Sequence, residues 1–455
     1  MPDQTVSRRY FFFGSLLAGA IPAAGFGSSA SLGRLGYKSP NEKLNIACIG
    51  AGGRAADDMA ALESENIVAL ADPDSTRAEK MFKKYDQAPK YTDFRRMLDK
   101  EGKSIDAVLI AIPDHMHAAA ALYAMERGKH VYCEKPLTRT IAESRILAKA
   151  AEKYKVATQM GNQGYSLFGT RQAAEIVWSG DIGSVTEVHA WTNRPIWPQG
   201  LTAMPAEEKV PDTLDWDSWL GIAEIRPYSP AYLPFNWRGW YDFGCGALGD
   251  MACHILGPAN LALMLGQPTS VECISQEGKS PFTFPKKSVI RFDFPARKSM
   301  PAVKVYWYDG IAEAPRPAGV PANEPLGELP KPPAQSTAPN GSLFVGEKGF
   351  LTTGTYGANT RLLPASRMED YKIPPETLTR APEHHLDWIR AAKGGSPASS
   401  DFSVAGPFTE WILLGVLSLR FEGKLEWDSA KMEITNHAEA NKFVHPRLRK
   451  GRKLV

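Results

Sequence analysis

Along the first third of the chain, short unbroken apolar runs alternate with stretches whose apolar positions recur at helical spacing. Residues 43–49, Lys-Leu-Asn-Ile-Ala-Cys-Ile, form an apolar run bounded by turn residues, which predicts a strand buried on both faces. A helical pattern follows through Met59 and Leu62, then a second apolar run over 66–71. Residues 105–112 repeat the strand pattern until Pro113 breaks it. A helix is predicted over 118–127, a strand over 130–133 and a helix over 141–154. Strand and helix in turn, with such short gaps, predict a doubly wound parallel sheet. Ligands bind such sheets beyond the carboxyl ends of the strands.

The pattern changes after residue 160. A helix over 170–178 and a strand over 184–192 lead into runs at 270–275, 288–294 and 302–308 where apolar and polar residues alternate. Alternation predicts antiparallel strands with one face covered. Asn340-Gly341 and Gly346-Glu347-Lys348-Gly349 punctuate two further strands, at 342–345 and 350–352. The seven prolines of 311–335 predict an extended surface loop or arm. In Glu383-His384-His385-Leu386-Asp387-Trp388, the helical spacing of Leu386, Ile389 and Ala392 favours a helix surface over a metal or catalytic box. The fold class is therefore α/β: an N-terminal doubly wound sheet over 43–160 and an α+β domain with a large, mostly antiparallel open sheet over 161–440.

Composition narrows the function. The chain has 455 residues, 43% hydrophobic and 23% charged, ordinary globular values that exclude collagen, coiled coil and wholesale disorder. No run reaches the roughly 18 apolar residues of a spanning helix. The formal charge of +3 includes five basic residues over 446–455 (Arg447, Arg449, Lys450, Arg452, Lys453), within a tail over 441–455, so the body is mildly acidic and nucleic acid is a poor partner. The tail is expected to be solvated. Five cysteines are too few for a disulfide framework, and Cys48 and Cys133 sit inside strand-like runs as buried thiols. Residues 1–30 carry Arg8-Arg9-Tyr10-Phe11-Phe12, an apolar middle and a small-residue exit. That is the pattern of an export signal and looks like a twin-arginine leader, with 31–42 as a flexible joint. A periplasmic or other extracytoplasmic location follows as an expectation.

The first predicted strand runs directly into Gly50-Ala51-Gly52-Gly53-Arg54-Ala55, a G-x-G-x-x-A. Gly50 permits a tight turn, Gly52 lets backbone N–H groups approach a pyrophosphate, and Ala55 is small enough for helix–strand packing. The helix N-terminus then faces the phosphates. Asp72, about 20 residues on at the end of the second strand, suits an adenosine ribose diol; its charge would repel a 2′-phosphate, so NAD is expected over NADP. The sheet rule places Gly50, Gly52, Gly53, Arg54, Ala55, Asp72, Pro113, His117, Glu134 and Lys135 along one rim, the expected cofactor contacts. From spacing alone, Lys135 reads as a surface lysine paired to Glu134 or as a group able to bond a substrate hydroxyl.

Gly50-x-Gly52-x-x-Ala55, Asp72, Ile112-Pro113-Asp114-His115-Met116-His117 and Glu134-Lys135-Pro136-Leu137, in this order and spacing, resemble the Gfo/Idh/MocA oxidoreductases, with the Glu-Lys-Pro motif the most specific part. The likeness extends over about residues 43–440. The family's second domain carries a D-x-x-x-H, matched here by Asp250-Met251-Ala252-Cys253-His254. Spacing of four puts both side chains on one helix face, where a carboxylate can orient an imidazole and favour its charged form. Taken alone, the pair also reads as a surface pair, a core histidine, or half a metal site lacking a third ligand; no metal is expected. The resemblance implies Lys135, Asp250 and His254 as the catalytic set, hydride transfer between a sugar or polyol carbinol and a nicotinamide, and a homo-oligomer built through the open sheet. Asn162, Gln163, Trp237 and Arg238 are candidate substrate contacts. The aromatics Trp216, Trp219, Tyr228, Tyr232, Phe235, Trp237, Trp240 and Tyr241 suit sugar stacking or core filling equally. Two other readings fit the motifs: a glycosidase cycling a bound NAD through oxidation, elimination and reduction, and a sugar sensor without catalysis.

Overall fold

A computed structural model describes residues 42–328 and 340–454. The export signal and nearly all of the joint lie outside the described residues, as do 329–339, which include the end of the proline-rich segment. The first sheet is built from β1 (Asn45–Ile49), α1 (Arg54–Ala61), β2 (Asn66–Ala71), α2 (Ser75–Lys84), β3 (Lys90–Tyr91), α3 (Phe94–Glu101), β4 (Ala107–Ile110), α4 (His117–Met125), β5 (His130–Cys133), α5 (Ile141–Tyr154) and β6 (Thr158–Met160). Its strand order is β3-β2-β1-β4-β5-β6, all parallel. Every residue of β4 is buried, as a strand covered by helices on both faces requires. Helix α5 begins where Thr140 and Glu143 cap one another, a reciprocal box that satisfies two orphan donors.

The second half contains α6 (Phe168–Ser179), β7 (Val185–Trp191), α7 (Trp216–Leu220), α8 (Gly246–Ile255), α9 (Gly257–Ala262), β8 (Ser270–Glu277), β9 (Lys287–Phe294), β10 (Val303–Asp309), β11 (Gly341–Gly346), β12 (Gly349–Thr353), β13 (Arg361–Leu363), α10 (His384–Ala392), α11 (Phe402–Ser418), β14 (Lys424–Asp428) and β15 (Glu433–Ile434). Its nine strands run β13-β12-β11-β7-β10-β9-β8-β14-β15, antiparallel except for β7 beside β10. In β9 and β10, Ile290, Phe292, Phe294, Val305 and Trp307 point into the core, where Trp411 of α11 meets the edges of Phe292 and Phe294. Their neighbours Val289, Arg291, Tyr306 and Tyr308 face outward, half-buried.

Three sequence expectations need correction. The chain does not stay wholly in its second half after residue 161: α10 returns to the first sheet, and α11 packs between α5 of the first half and α8, β8 and β9 of the second. Trp388 of α10 is fully buried beside Cys48, Leu109 and Tyr132, and α11 lies on α5. Gly406 makes that approach possible, since a Cβ there would sit 2.9 Å from the Ala148 Cβ. The histidines of α10 are therefore buried rather than on a helix surface. The described part of the proline-rich segment is not a free arm either, because Val320 and Leu326 pack with Trp191, Leu343 and Leu363. Among the described residues no helix is long and apolar enough to cross a membrane.

Candidate active site

The turn after β1 is closed by geometry that only glycine meets. Gly50 has φ +92°, and a Cβ there would lie 2.3 Å from the Ala111 carbonyl oxygen; at Gly52 it would strike Arg77. Gly53 (φ +57°) leads into α1, where Ala55 is fully buried. Asp72 ties the turn to the end of β2: one carboxylate oxygen accepts from the Ala51 N–H at 2.8 Å and the other from the Asp74 N–H at 2.9 Å. Burial, against those two bonds, pushes its pKa up to about 6. Gly50, Gly52, Arg54, Asp72 and Pro113 line one end of a cleft whose other end is lined by Lys135, Gln163, Trp237, Arg238 and His254. The glycine turn and the acid at the end of β2 fit a dinucleotide laid along this cleft.

At the far end, two elements converge. Lys135 follows β5, and its Nζ donates to Asp250 Oδ1 at 2.7 Å and to the Asp250 carbonyl at 3.0 Å. Asp250 and His254 project from α8. Arg238 Nε lies 3.5 Å from the same Asp250 oxygen, with the guanidinium stacked over Trp237 and Phe235. Burial opposes ionisation of Asp250, but Lys135 and Arg238 outweigh it and hold the carboxyl well below its usual range. Burial likewise disfavours the Lys135 ammonium, yet Asp250 and Glu134 raise its pKa, so the lysine is charged.

His254 corrects the expectation of a charged imidazole. Burial and then Lys135 push its pKa well below the ordinary value, and Asp250 offsets this only in part, its oxygen being engaged by Lys135 and Arg238. Nδ1 is buried without a hydrogen-bond partner among the described residues, and the ring meets the edge of Tyr356 at 4.8 Å. A neutral imidazole beside a charged ammonium is the state that can accept a proton from an alcohol.

The remaining predicted residues divide. Glu134 is buried and accepts from Arg54 Nε at 3.2 Å and Gln163 Nε2 at 3.0 Å; burial and then Asp58 raise its pKa to about 7. His117 does not reach the cleft. Its two ring nitrogens lie 2.7 and 2.8 Å from the Pro136 and Ile112 carbonyls, which makes it a tie between the ends of β4 and β5. Asn162 is also displaced from its expected substrate role: it is fully buried behind the lining and donates to the Cys253 carbonyl, bracing α8. Of the eight aromatics, only Trp219 and Trp237 line the cleft; Trp216, Tyr228, Tyr232 and Trp240 belong to a self-packed cluster with Phe243, so core filling explains them. Tyr356, between β12 and β13, was not foreseen, and its only sequence signal is its flanking glycine turn. The tail is not freely solvated: Arg449 and Arg452 pair with Asp217 at 2.6 and 2.9 Å, and Arg452 lines the dinucleotide end of the cleft. Among the described residues no cluster of three His, Cys, Asp or Glu side chains is arranged to hold a metal ion.

Comparison with known proteins agrees with this geometry. A family model described as "Oxidoreductase family, NAD-binding Rossmann fold" matches residues 44–162, and its companion, "Oxidoreductase family, C-terminal alpha/beta domain", matches residues 177–280. An inositol 2-dehydrogenase of Streptomyces avermitilis is 31% identical over 212 residues, 43% of this chain and 60% of that protein. A levoglucosan dehydrogenase of Pseudarthrobacter phenanthrenivorans is 26% identical over 215 residues, 47% of this chain and 46% of that protein. The chain thus spans 60% and 46% of the length of these two relatives. The fold is shared with an inositol dehydrogenase homolog from Azotobacter vinelandii solved with NADH and myo-inositol (TM-score 0.53, 17% identity, 86% of this chain and 100% of that one). It is shared also with a levoglucosan dehydrogenase solved with NADH and levoglucosan (TM-score 0.54, 20% identity, 85% and 99%). With an NAD-binding Rossmann domain followed by the matching α/β domain, the chain belongs to the Gfo/Idh/MocA oxidoreductase family.

Proposed function

We propose that the chain is an NAD-dependent dehydrogenase acting on a secondary alcohol of a sugar or polyol, with Lys135, Asp250 and His254 as its catalytic set. The observation that carries this reading is the meeting of a charged Lys135 and a neutral, unpartnered His254 in the cleft that also holds the glycine turn and Asp72. When bound, the nicotinamide supplies the acceptor for the hydride. Lys135 spends donors on Asp250 and retains capacity to polarise the substrate oxygen. His254 accepts the hydroxyl proton. Asp250 fixes the lysine, and Arg238 fixes Asp250. Gln163, Trp237 and Arg238 line the same end and are the proposed sugar contacts. An ionised Asp72 favours NAD over NADP. The named activities of the inositol and levoglucosan dehydrogenase relatives support a polyol or sugar substrate.

The same proposal has the chain exported folded by the twin-arginine route with its coenzyme loaded and held tightly, and assembled as a homo-oligomer through the outward face of β7, β9 and β10. The test is a panel of sugars and polyols, including myo-inositol and levoglucosan, assayed for nicotinamide reduction at 340 nm with NAD and NADP in parallel. Reduction by at least one polyol, faster with NAD, is expected. No reduction with any of them, together with steady release of phenol from aryl glycosides without added coenzyme, would overturn it in favour of hydrolysis.

A further inference from the structure

A second cavity of ≈ 360 Å³ is lined by side chains from seven separated stretches of chain. Arg139 and Thr140 come from the segment between Lys135 and α5, Tyr241 and Asp242 from the approach to α8, Phe282 from the β8–β9 connection, Arg420 from the end of α11, and Phe443, His445 and Arg447 from the C-terminal segment. Glu224 and Arg226, and Lys442 at the mouth, complete the charged lining. Five permanent cations thus face two carboxylates, in a body that is otherwise mildly acidic.

The carboxylates do not neutralise the cluster. Asp242 pairs with Arg226, and Lys442 pairs with Glu439 outside the cavity. Arg139, Arg420 and Arg447 make no ion pair among the described residues. Arg139 donates only to the Tyr241 carbonyl, its Nε is buried without a partner, and the neighbouring Glu143 has one oxygen committed to Thr140. Arg420 lies over the Tyr241 ring at 3.7 Å and the Phe443 ring at 4.7 Å, and Arg447 covers Phe443 at 4.7 Å. Burial disfavours the Arg420 charge; Tyr241 and Asp242 offset this only in part, and Arg139 and Arg447 repel it further. Holding like charges together in a half-closed cavity costs free energy unless an anion sits among them. Guanidinium forks match oxyanions bidentately.

We propose that this cavity is a binding site for an oxyanion group carried on a small molecule: a phosphate ester, a sulfate ester or the carboxylate of a sugar acid. The site is separate from the cleft and does not depend on the proposed dehydrogenase activity. Its anion would press on the segment carrying Lys135 and on the approach to α8, where Cys245 Sγ already contacts the Thr138 and Arg139 carbonyls.

The test uses the full chain carrying one equivalent of NAD, so that free phosphate does not report on the glycine turn. Inorganic phosphate, inorganic sulfate and galacturonate are titrated separately in chloride buffer by calorimetry. Saturable one-to-one binding of at least one probe is expected, weakened about tenfold or more in Arg447→Gln and in Arg420→Gln, since each removes a charge-assisted hydrogen bond. Tighter phosphate or sulfate identifies an ester as the ligand, and tighter galacturonate a sugar acid. Arg447 is exposed at the mouth, so its variant folds even if Arg420→Gln does not. Absence of saturable binding by all three probes, or binding undiminished in Arg447→Gln, would overturn the proposal. If NAD itself fails to bind, the comparison of native chain with Arg447→Gln still locates the oxyanion, so failure here and failure of the dehydrogenase reading are distinguishable.

Discussion

His254, the proposed base, stays neutral because it is buried, and the neighbouring carboxylate does not charge it. Replacing it with Ala removes the proton acceptor, and kcat should fall about 10²- to 10⁴-fold with NAD affinity little changed, as steady-state kinetics and equilibrium titration would show. Asp250→Asn acts differently. Asp250 is the strongest influence raising the Lys135 pKa against burial. Its loss should lower that pKa and move the alkaline limb of kcat/KM to lower pH, whereas a purely structural defect would leave the limb in place. Asp72 gives a second pH dependence. Its folded-state pKa of about 6 exceeds the ordinary carboxyl value, so the carboxylate that suits the ribose is lost as pH falls through 6. NAD affinity should weaken up to about tenfold per pH unit below that point, and Asp72→Asn should flatten the dependence. The glycine turn was legible from spacing, whereas Lys135, Asp250 and His254 were reached only through the resemblance of their motifs to the family; the structure brings Lys135 and His254 to one cleft and pairs Lys135 with Asp250. His117 and Asn162 occupy equally suggestive positions, yet their side chains turn into backbone carbonyls, which no spacing reveals. Tyr356 and Arg452 reach the cleft from distant segments and leave no local signal.

At the scale of elements, the parallel strands and their helices followed from apolar runs, and β9 and β10 from strict alternation. The return of α10 to the first sheet and the seat of α11 between the two halves were not legible. Their residues are apolar in a way that fits either half, and the partner surface is set by topology rather than by pattern. Trp388 measures that packing. It is fully buried between α10 and the first sheet, so Trp388→Ala should cost about 3–5 kcal/mol, read by chemical denaturation. A milder loss would mean that α10 is only loosely attached. The same helix carries His385, whose ring nitrogens lie 3.1 Å from Asp58 and from Glu383 while its face stacks on Tyr132. Asp58 holds Arg54 at 2.6 Å, and Arg54 reaches Glu134. A helix from the far end of the sequence is thereby wired to the residue preceding Lys135.

Across the whole molecule, the cleft is assembled by both halves, and Arg452 of the basic tail joins its lining. Arg449 and Arg452 converge on Asp217, and Asp217, Ser218 and Arg452 line the cleft together with Gly50 and Asp72. Removing the residues after Leu448 should raise the NAD dissociation rate about three- to tenfold while sparing the chemistry, because an ion-paired surface strap contributes modestly and acts mainly on release. A stopped-flow displacement experiment reads this directly. The central claim is that one cleft seats the coenzyme from the glycine turn to Lys135 and His254. A crystal structure of the chain grown with NAD tests it most directly: coenzyme density should run from Gly50 past Asp72, with the nicotinamide beside the Lys135 ammonium and the His254 ring. Density lodged elsewhere, or those two side chains collapsed onto each other across an empty cleft at saturating NAD, would contradict it.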